Sequence, residues 1–382
     1  MEQSKEQPKE NFKVLRYILL ALILWNIPAF CLIYVGSTVA SILSYLSFGL
    51  IVLYVILNGK SGNNTVMLIL GMTYFLIGAL SNQAYMPDFV TFFIIVIKYF
   101  ILIWGGYELI KKSTNKEISF YLLVGALSIL GNMFLFNNPK ADYGRYSGFY
   151  LDPNNAGLIC SIGFAMTFTL NKKFRLLAKT FFTLLGLFTL SRTFILVWVV
   201  LNILSIRHSL KNIKMVAMGF AILSTLLIYN EFLPVKNPRL ERIGAFITGN
   251  AQKSKGIDKD SRWDTWSRYY DALQDKPIFG NGYQAFSGNG VAPPVGVHNT
   301  YLLLWGDAGF IPALLFIFYV IWLIIESNKK FNSHPQLLMI ITAISLFLLT
   351  NHNFMTMGYS LALFMMVHIK LKETNDIGIL ST

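Results

Sequence analysis

The stretch DFVTFFIIVIKYFILIWGGYELI, residues 88–110, decides the fold class because it is apolar along almost its whole length. A helix needs about 20 apolar residues to cross the roughly 30 Å hydrocarbon core of a bilayer. Similar runs recur along nearly the entire chain of 382 residues, of which 54% are hydrophobic and 13% charged. The sequence therefore predicts a polytopic membrane protein, and it excludes a soluble domain with one anchor.

The apolar runs predict an all-α protein with about twelve transmembrane helices. Ser191 and Arg192 interrupt one long apolar run and divide it into two spans. The spans are placed near residues 14–36, 38–57, 65–82, 88–110, 118–137, 155–170, 175–190, 192–206, 214–231, 298–325, 335–351 and 355–370.

Positive charge predicts the orientation, because cytoplasmic loops of membrane proteins retain Lys and Arg. The short connections at 81–88 and 352–354 contain neither residue, so they are predicted to lie outside. The resulting topology has both termini in the cytoplasm and explains much of the net charge of +13, so nucleic acid is not an expected partner. The predicted inside loops hold Lys60, Lys111, Lys112, Lys116, Lys172, Lys173, Arg175, Arg207, Lys211, Lys214, Lys329, Lys330, Lys370 and Lys372.

This topology divides the chain into five parts. The N-terminal helices occupy 1–137 and are followed by a first outer loop at 138–154. The central helices occupy 155–231, and a large extracytoplasmic loop covers 232–297. The C-terminal helices and a cytoplasmic tail form 298–382. Because loops as long as 232–297 are usually functional, we expect this one to contribute to the site.

The large loop is predicted to contain a short amphipathic helix over residues 261–273. At about 100° per residue, one face of this helix carries Trp263, Trp266, Tyr270 and Leu273. Because Trp and Tyr favour the membrane interface, the helix is expected either to lie on the bilayer surface or to pack on a small core of the loop itself. Arg262 lies on the flank of the aromatic face, and Arg268 points further from it.

The polar residues that are candidates for catalysis or phosphate binding all lie on the predicted outer side. His298 opens a membrane span below the basic loop, and an imidazole can take a proton from an attacking sugar hydroxyl. Arg145, Arg192 and Arg262 offer planar guanidinium groups that bind phosphate oxygens in a bidentate manner. Asn154 or Asn155 is expected either to cap the next helix or to bind a ligand. The outer carboxylates do not show a metal-binding pattern, so no metal and no cofactor are expected.

Four stretches of the chain resemble the superfamily of O-antigen ligases and O-antigen or capsule polymerases. Phe194 and Pro312 depart from the small residues usual in that family. The stretches are Arg145–Asn154, Leu190–Arg192, Arg262–Trp266 with Pro277, Gly280 and Gly282, and His298–Leu302 with Gly309.

The resemblance implies a metal-independent glycosyltransferase that uses an undecaprenyl-diphosphate-linked donor on the outer face of the bacterial cytoplasmic membrane. By this resemblance Arg145, Arg192 and Arg262 would bind the diphosphate, and His298 would act as a base or orient the acceptor. The secondary candidates are Asn154, Asn299, Arg268 and Tyr301. The expected partners are the lipid-linked oligosaccharide, membrane lipids, and a flippase and a chain-length regulator of the same pathway.

Three functional interpretations remain open. Polymerase and ligase share these motifs, and a Lys-rich, Cys-poor composition favours the polymerase because it indicates a source without lipid A. A lipid-linked oligosaccharide flippase or other transporter would explain the spans and Arg192, with Lys98 and Glu108 as further intramembrane ionisable residues. An assembly or sensor protein without catalysis is the third interpretation.

Overall fold

The computed structural model describes residues 12–136, 145–232, 237–247 and 262–379. In these ranges every regular element is a helix and there is no strand. The α-helices are α1 Lys13–Leu24, α2 Ile27–Tyr34, α3 Ser37–Asn58, α4 Thr65–Ser81, α5 Phe89–Lys111, α6 Asn115–Phe134, α7 Pro153–Met166, α8 Lys172–Phe188, α9 Arg192–His208, α10 Ile213–Phe232, α11 Pro238–Ile247, α12 Arg262–Ser267, α13 Tyr270–Asp275, α14 Thr300–Ala308, α15 Phe310–Lys329, α16 Pro335–Leu348 and α17 Gly358–Ile379.

Among the described helices, five are long and apolar enough to cross a membrane on their own. They are α3, α5, α6, α10 with the short turn before it, and α15. The bent pair of α1 and α2, with 58° between the two helices, makes a sixth candidate if it is counted as one span. The all-helical membrane class is thus confirmed, whereas the count of about twelve spans stays a prediction.

Two predicted spans each consist of two helices rather than of one continuous helix. The run at 14–36 bends at Asn26, which has a φ of 54°, and Pro28 stands in the first turn of the next helix. Proline is tolerated there because the first N–H groups of a helix have no intrahelical partner. The run at 298–325 ends its first helix at Ala308 and begins another at Phe310. The predicted break between α8 and α9 at residues 189–191 is confirmed.

Gly309 makes the second break possible. Its φ is 80°, and a Cβ at this position would lie 1.8 Å from the carbonyl oxygen of Ile278. The N–H of the following Phe310 donates to the carbonyl of Pro277 at 3.0 Å. The end of the large loop is therefore held against the α14–α15 junction by contacts that only glycine permits.

Gly309→Ala is expected to lower the unfolding temperature of the purified protein. Gly309 combines its positive φ with a ψ of −175°, a conformation that costs a residue with a Cβ about 1–3 kcal/mol, and the close contact with Ile278 adds to that. Thermal unfolding in detergent measures the effect. Gly49→Ala in α3 is the matched control, because its Cβ would meet no atom within 4 Å. Equal unfolding temperatures for the two variants would contradict this account.

Helix α7 lies at the centre of the bundle, where it packs against α6, α8, α9 and α16. Every residue from Ala156 to Met166 is buried. Glycines allow the close approach of neighbouring helices, since a Cβ at Gly157 would lie 2.8 Å from the Cβ of Phe194. The N-terminus of this central helix therefore has a well-defined position among its neighbours, and the site is built around it.

The predicted helix over 261–273 is wrong as a single element. Its first residue lies outside the described residues, and the remainder forms α12 and α13, joined by a turn at Arg268 and Tyr269. Tyr269 is fully buried against Phe286, with ring centroids 4.6 Å apart, and its hydroxyl donates to the carbonyl of Val295.

The two short helices pack on a small core that belongs to the loop. Tyr269 and Leu273 are buried in it together with Phe286, and Trp266 packs against it. Trp263 differs, since 69% of its surface is exposed. Packing on the loop's own core is therefore observed for Trp266 and Leu273 of the predicted face, and contact of Trp263 and Tyr270 with a bilayer stays a prediction.

Candidate active site

Polar side chains join the segments that carry the predicted site residues. Ser191, which precedes α9, donates its hydroxyl proton to Oδ1 of Asn154 in α7 at 2.7 Å. Asn351, which follows α16, donates to Oδ1 of Asn155 at 3.2 Å. The carbonyl of Asn351 accepts from the Thr300 hydroxyl at 2.7 Å. These bonds place the N-termini of α7, α9 and α14 and the α16–α17 connection at one end of the bundle.

The first predicted role of Asn154 and Asn155, helix capping, is wrong. Asp152 caps α7, because its carboxylate accepts from the backbone N–H groups of Asn154 at 2.8 Å and Asn155 at 3.2 Å. Pro153 occupies the first helical position, which suits its missing N–H. The side chains of Asn154 and Asn155 are consequently left to connect helices at the site, as described above.

Arg145 and Arg192 lie at the same turn between α8 and α9. The Nε of Arg145 donates to the carbonyl of Thr189 at 3.3 Å, and its side chain is half-buried. Arg192 is the first residue of α9, and its side chain is exposed. Ser191 caps this helix by accepting from the Phe194 N–H at 3.1 Å. The two guanidinium groups thus flank a helix N-terminus, which itself favours anions.

His298 lies immediately before α14 and faces a second histidine. Its φ of 48° is in the left-handed region, which is uncommon for a residue with a Cβ and recurs at functional sites. The ring of His298 lies 4.7 Å from the ring of His352, centroid to centroid, at an angle of 67°. His352 comes from the connection between α16 and α17, so the pair exists only because distant segments meet.

His352 is a neutral imidazole at neutral pH. Burial lowers its pKa to about 4, and the electrostatic interactions with His298 and Arg262 act in the same direction. A hydrogen bond to the Ser287 carbonyl acts in the opposite direction. Its Nδ1 is buried and has no hydrogen-bond partner among the described residues. Arg262, at the start of α12, is therefore close enough to His352 for its charge to influence the protonation of that imidazole.

The low pKa of His352 predicts acid sensitivity. Its folded pKa of about 4 lies below the ordinary value of 6.5, so the unfolded chain takes up this proton first as pH falls. The contribution to stability is complete above about pH 6.5 and is lost as pH falls through about 4. We expect His352→Gln to lose less thermal stability than the wild type between pH 7 and pH 4.5. Parallel unfolding-temperature curves for the two proteins would contradict the assignment.

The structure does not bring every predicted residue to the histidine pair. Arg268 is exposed in the turn between α12 and α13. Asn299 caps α14, accepting from the N–H groups of Tyr301 at 3.0 Å and Leu302 at 3.1 Å. The hydroxyl of Tyr301 donates to the Ser345 carbonyl at 3.3 Å. The contacts of Asn299 and Tyr301 are those of structural residues that hold α14 in place.

Two residues that contribute to the site or to its support were not predicted from the sequence. One is His352, which lies in a connection that was considered only for its lack of positive charge. The other is Asp307, fully buried near the end of α14, whose carboxylate accepts from the N–H groups of Phe286 at 2.9 Å and Gln284 at 3.1 Å and from the Tyr74 hydroxyl at 2.8 Å. These bonds tie the loop to the helices. Asp307 could have been identified from the sequence, because it is an ionisable residue inside an apolar run.

The assembled groups suit an anionic ligand and a proton transfer. Guanidinium groups come from two places, the α8–α9 turn and the start of α12, and two imidazoles contact each other where α14 begins. Within the described residues, no group of three or more His, Cys, Asp and Glu side chains is arranged to hold a metal ion. The arrangement can bind phosphate oxygens through charge-assisted hydrogen bonds and accept a proton from a nearby hydroxyl.

These features define a helical membrane protein with an arginine- and histidine-containing site at the ends of several helices. Residues 177–317 match the family model described as O-antigen ligase (Wzy_C), so this segment is similar to the O-antigen ligase and polymerase superfamily. The matched segment contains Arg192, Arg262 and His298, whereas Arg145 and His352 lie outside it. No curated protein matches the chain. The family match supports a membrane glycosyltransferase activity of the ligase or polymerase type.

Proposed function

We propose that the protein is a polysaccharide repeat-unit polymerase of the bacterial cytoplasmic membrane. It transfers glycan from an undecaprenyl-diphosphate-linked donor to a sugar hydroxyl of a lipid-linked acceptor on the outer face. A flippase and a chain-length regulator of the same pathway would be its partners. The observation that carries the proposal is the contact between the His298 and His352 rings before α14, with Arg262 close enough to His352 to lower its pKa. His298 and Arg262 lie inside the segment that matches the family model.

In the proposed reaction, the anomeric carbon of the donor sugar exchanges its bond to a diphosphate oxygen for a bond to an acceptor oxygen. The acceptor hydroxyl oxygen attacks the anomeric carbon of the donor sugar, and the bond from that carbon to the diphosphate oxygen breaks. The hydroxyl proton passes to the imidazole of His298. The leaving diphosphate gains negative charge, which Arg262 stabilises together with Arg145 and Arg192 at the α9 N-terminus. Fixed guanidinium groups stabilise this developing charge without reorganisation, so they accelerate the step.

An apolar crevice bordered by the α16–α17 connection supports a lipid-linked substrate. It has a volume of about 380 Å³ and lies between α1, α2, α3 and α5. Met355 and Thr356, which follow His352 closely in the chain, form part of its wall. Lys98 also lines it and donates to the Ser44 hydroxyl at 2.8 Å. Part of a polyprenyl chain would be accommodated in this crevice while its diphosphate lies near the histidines.

Ligation is the second candidate function, because the matching family model bears the description O-antigen ligase. A ligase would use the same donor and the same residues but pass the glycan to a different acceptor. The described geometry concerns the donor and the proton transfer, which both reactions share. The acceptor therefore has to be identified by experiment.

The proposal is tested by polymer length in a strain that lacks this gene, with and without the wild-type gene restored. Long chains that return only with the gene support the polymerase. Single repeat units that remain lipid-linked on the outer face are expected in its absence. Normal chain length with a failure to attach the glycan to its final acceptor would show a ligase. Units that accumulate on the cytoplasmic face would show a flippase.

A further inference from the structure

A polar cavity lies at the end of the bundle opposite the candidate active site. It is formed by the start of α8, the end of α9 and the turn that leads into α10, and its volume is about 750 Å³. Helix α9 runs from Ser191 at the active site to His208 at this cavity. At a rise of 1.5 Å per residue, about 25 Å separates the two sites. The cavity is thus independent of the transferase chemistry proposed above.

The wall of the cavity is strongly basic. Within the described residues that line it there is no carboxylate. None of its Lys or Arg side chains forms an ion pair with a described carboxylate. The cations that line it are Lys172, Arg175, Lys179, Lys211 and Lys214.

Lys179 distinguishes this cavity from an ordinary basic surface. Only 1% of the residue is exposed, yet its ammonium has neutral partners: the Ser205 hydroxyl and Oδ1 of Asn212, each at 3.1 Å. It also lies 3.9 Å from the ring centroid of Phe168. Burying a charge is costly unless an opposite charge compensates it. An anion in the cavity would supply that compensation.

The positive charge of Arg175 likewise lacks an opposite charge among the described residues. One of its terminal nitrogens donates to the carbonyls of Phe168 and Leu170, both at 3.1 Å. Its Nε is buried and has no hydrogen-bond partner among the described residues. The topology rule explains why short loops carry exposed lysines, but it requires neither a cavity nor a buried lysine. The arrangement is better explained by a ligand.

We propose that this cavity binds the phosphate group of an anionic ligand, either the headgroup of an anionic phospholipid or free phosphate. Lys211 and Lys214 are exposed at the rim, where they attract the anion, and Lys179 and Arg175 meet it inside. Basic pockets between helices near the membrane surface bind phospholipid headgroups in this manner. The ligand would hold α8, α9 and the start of α10 together.

The test is lipid binding by delipidated full-length protein, measured by native mass spectrometry. Phosphatidylglycerol is compared with phosphatidylcholine of the same chain length, and inorganic phosphate is added as a competitor. The double variant Lys211→Gln/Lys214→Gln is expected to bind phosphatidylglycerol about 25-fold more weakly, since each lysine near a lipid surface contributes about 1 kcal/mol, roughly fivefold in affinity. The control Lys173→Gln/Lys330→Gln removes two charges outside the cavity and is expected to bind within about twofold of the wild type.

The outcomes distinguish a phospholipid headgroup from free phosphate as the bound group, and some of them would overturn the proposal. Preference for phosphatidylglycerol that phosphate does not displace indicates a lipid headgroup, and displacement by phosphate indicates free phosphate. Equal weakening in the control, or equal binding of the two lipids without phosphate binding, would overturn the proposal. Lys179→Gln provides a second measurement: the ligand should raise the unfolding temperature of the wild type and leave that of this variant unchanged. An equal rise in both would also count against the site.

Discussion

His298→Ala is expected to abolish detectable polymer, with a fall in the rate of glycosyl transfer of about 10²–10⁴-fold. This is the range that a positioned general base contributes to catalysis. The variant should still bind the lipid-linked donor, because the arginines remain in place. The measurement is chain length in the complemented strain at matched membrane expression, followed by single-turnover transfer with purified protein and lipid-linked repeat units.

Tyr301→Phe is the matched control for this variant. Tyr301 lies in the first turn of α14, the helix that follows His298, and the substitution removes only the 3.3 Å hydrogen bond to the Ser345 carbonyl. We expect it to retain most of the transfer activity. His352→Ala separates the two imidazoles of the pair. If His298→Ala kept full activity while His352→Ala lost it, His352 would be the proton acceptor and the assignment of His298 would be wrong.

Arg262→Ala is expected to reduce transfer by about 10²–10³-fold, the effect of removing one group that stabilises charge developing in a transition state. Arg262 lies close enough to His352 for its charge to lower the pKa of that imidazole. Arg262→Lys should recover only part of the activity, since an ammonium keeps the charge but cannot bind two phosphate oxygens with a planar fork. Initial rates at several donor concentrations would show whether binding or the chemical step is affected.

Arg268→Ala is the control for Arg262. Both residues belong to the segment of α12 and the turn after it, but Arg268 is exposed and Arg262 is half-buried. We therefore expect Arg268→Ala to stay within about twofold of the wild type. An equally large loss in both variants would mean that the general positive charge of the loop matters, and that Arg262 has no specific role.

Much of the candidate site was accessible from the sequence because the relevant motifs are local. His298 directly precedes Asn299, Ser191 directly precedes Arg192, and the apolar runs place both pairs at the same predicted side of the membrane. The family match at residues 177–317 confirms the resemblance on which those roles rest. The roles themselves stay predictions until the variants are measured.

Other features depended on contacts between distant residues. The partnership of His298 and His352 and the bond from Ser191 to Asn154 join segments far apart in the chain. A single sequence does not indicate which of several polar residues outside the membrane will meet. The capping of α7 by Asp152 was missed for a simpler reason, since two asparagines followed it and either would also suit a helix N-terminus.

The sequence by itself determined the helical membrane class, the break between α8 and α9, and the resemblance to the O-antigen ligase family that the match at residues 177–317 supports. Long apolar runs, charge patterns and short motifs act over few residues, so they can be read directly along the chain. The tertiary structure decided the break at Gly309, the turn at Tyr269 and the pairing of the histidines. Each of these depends on an approach between distant segments, such as Ile278 against Gly309 or Phe286 against Tyr269. Only the packed bundle decides which of the locally favourable conformations can coexist.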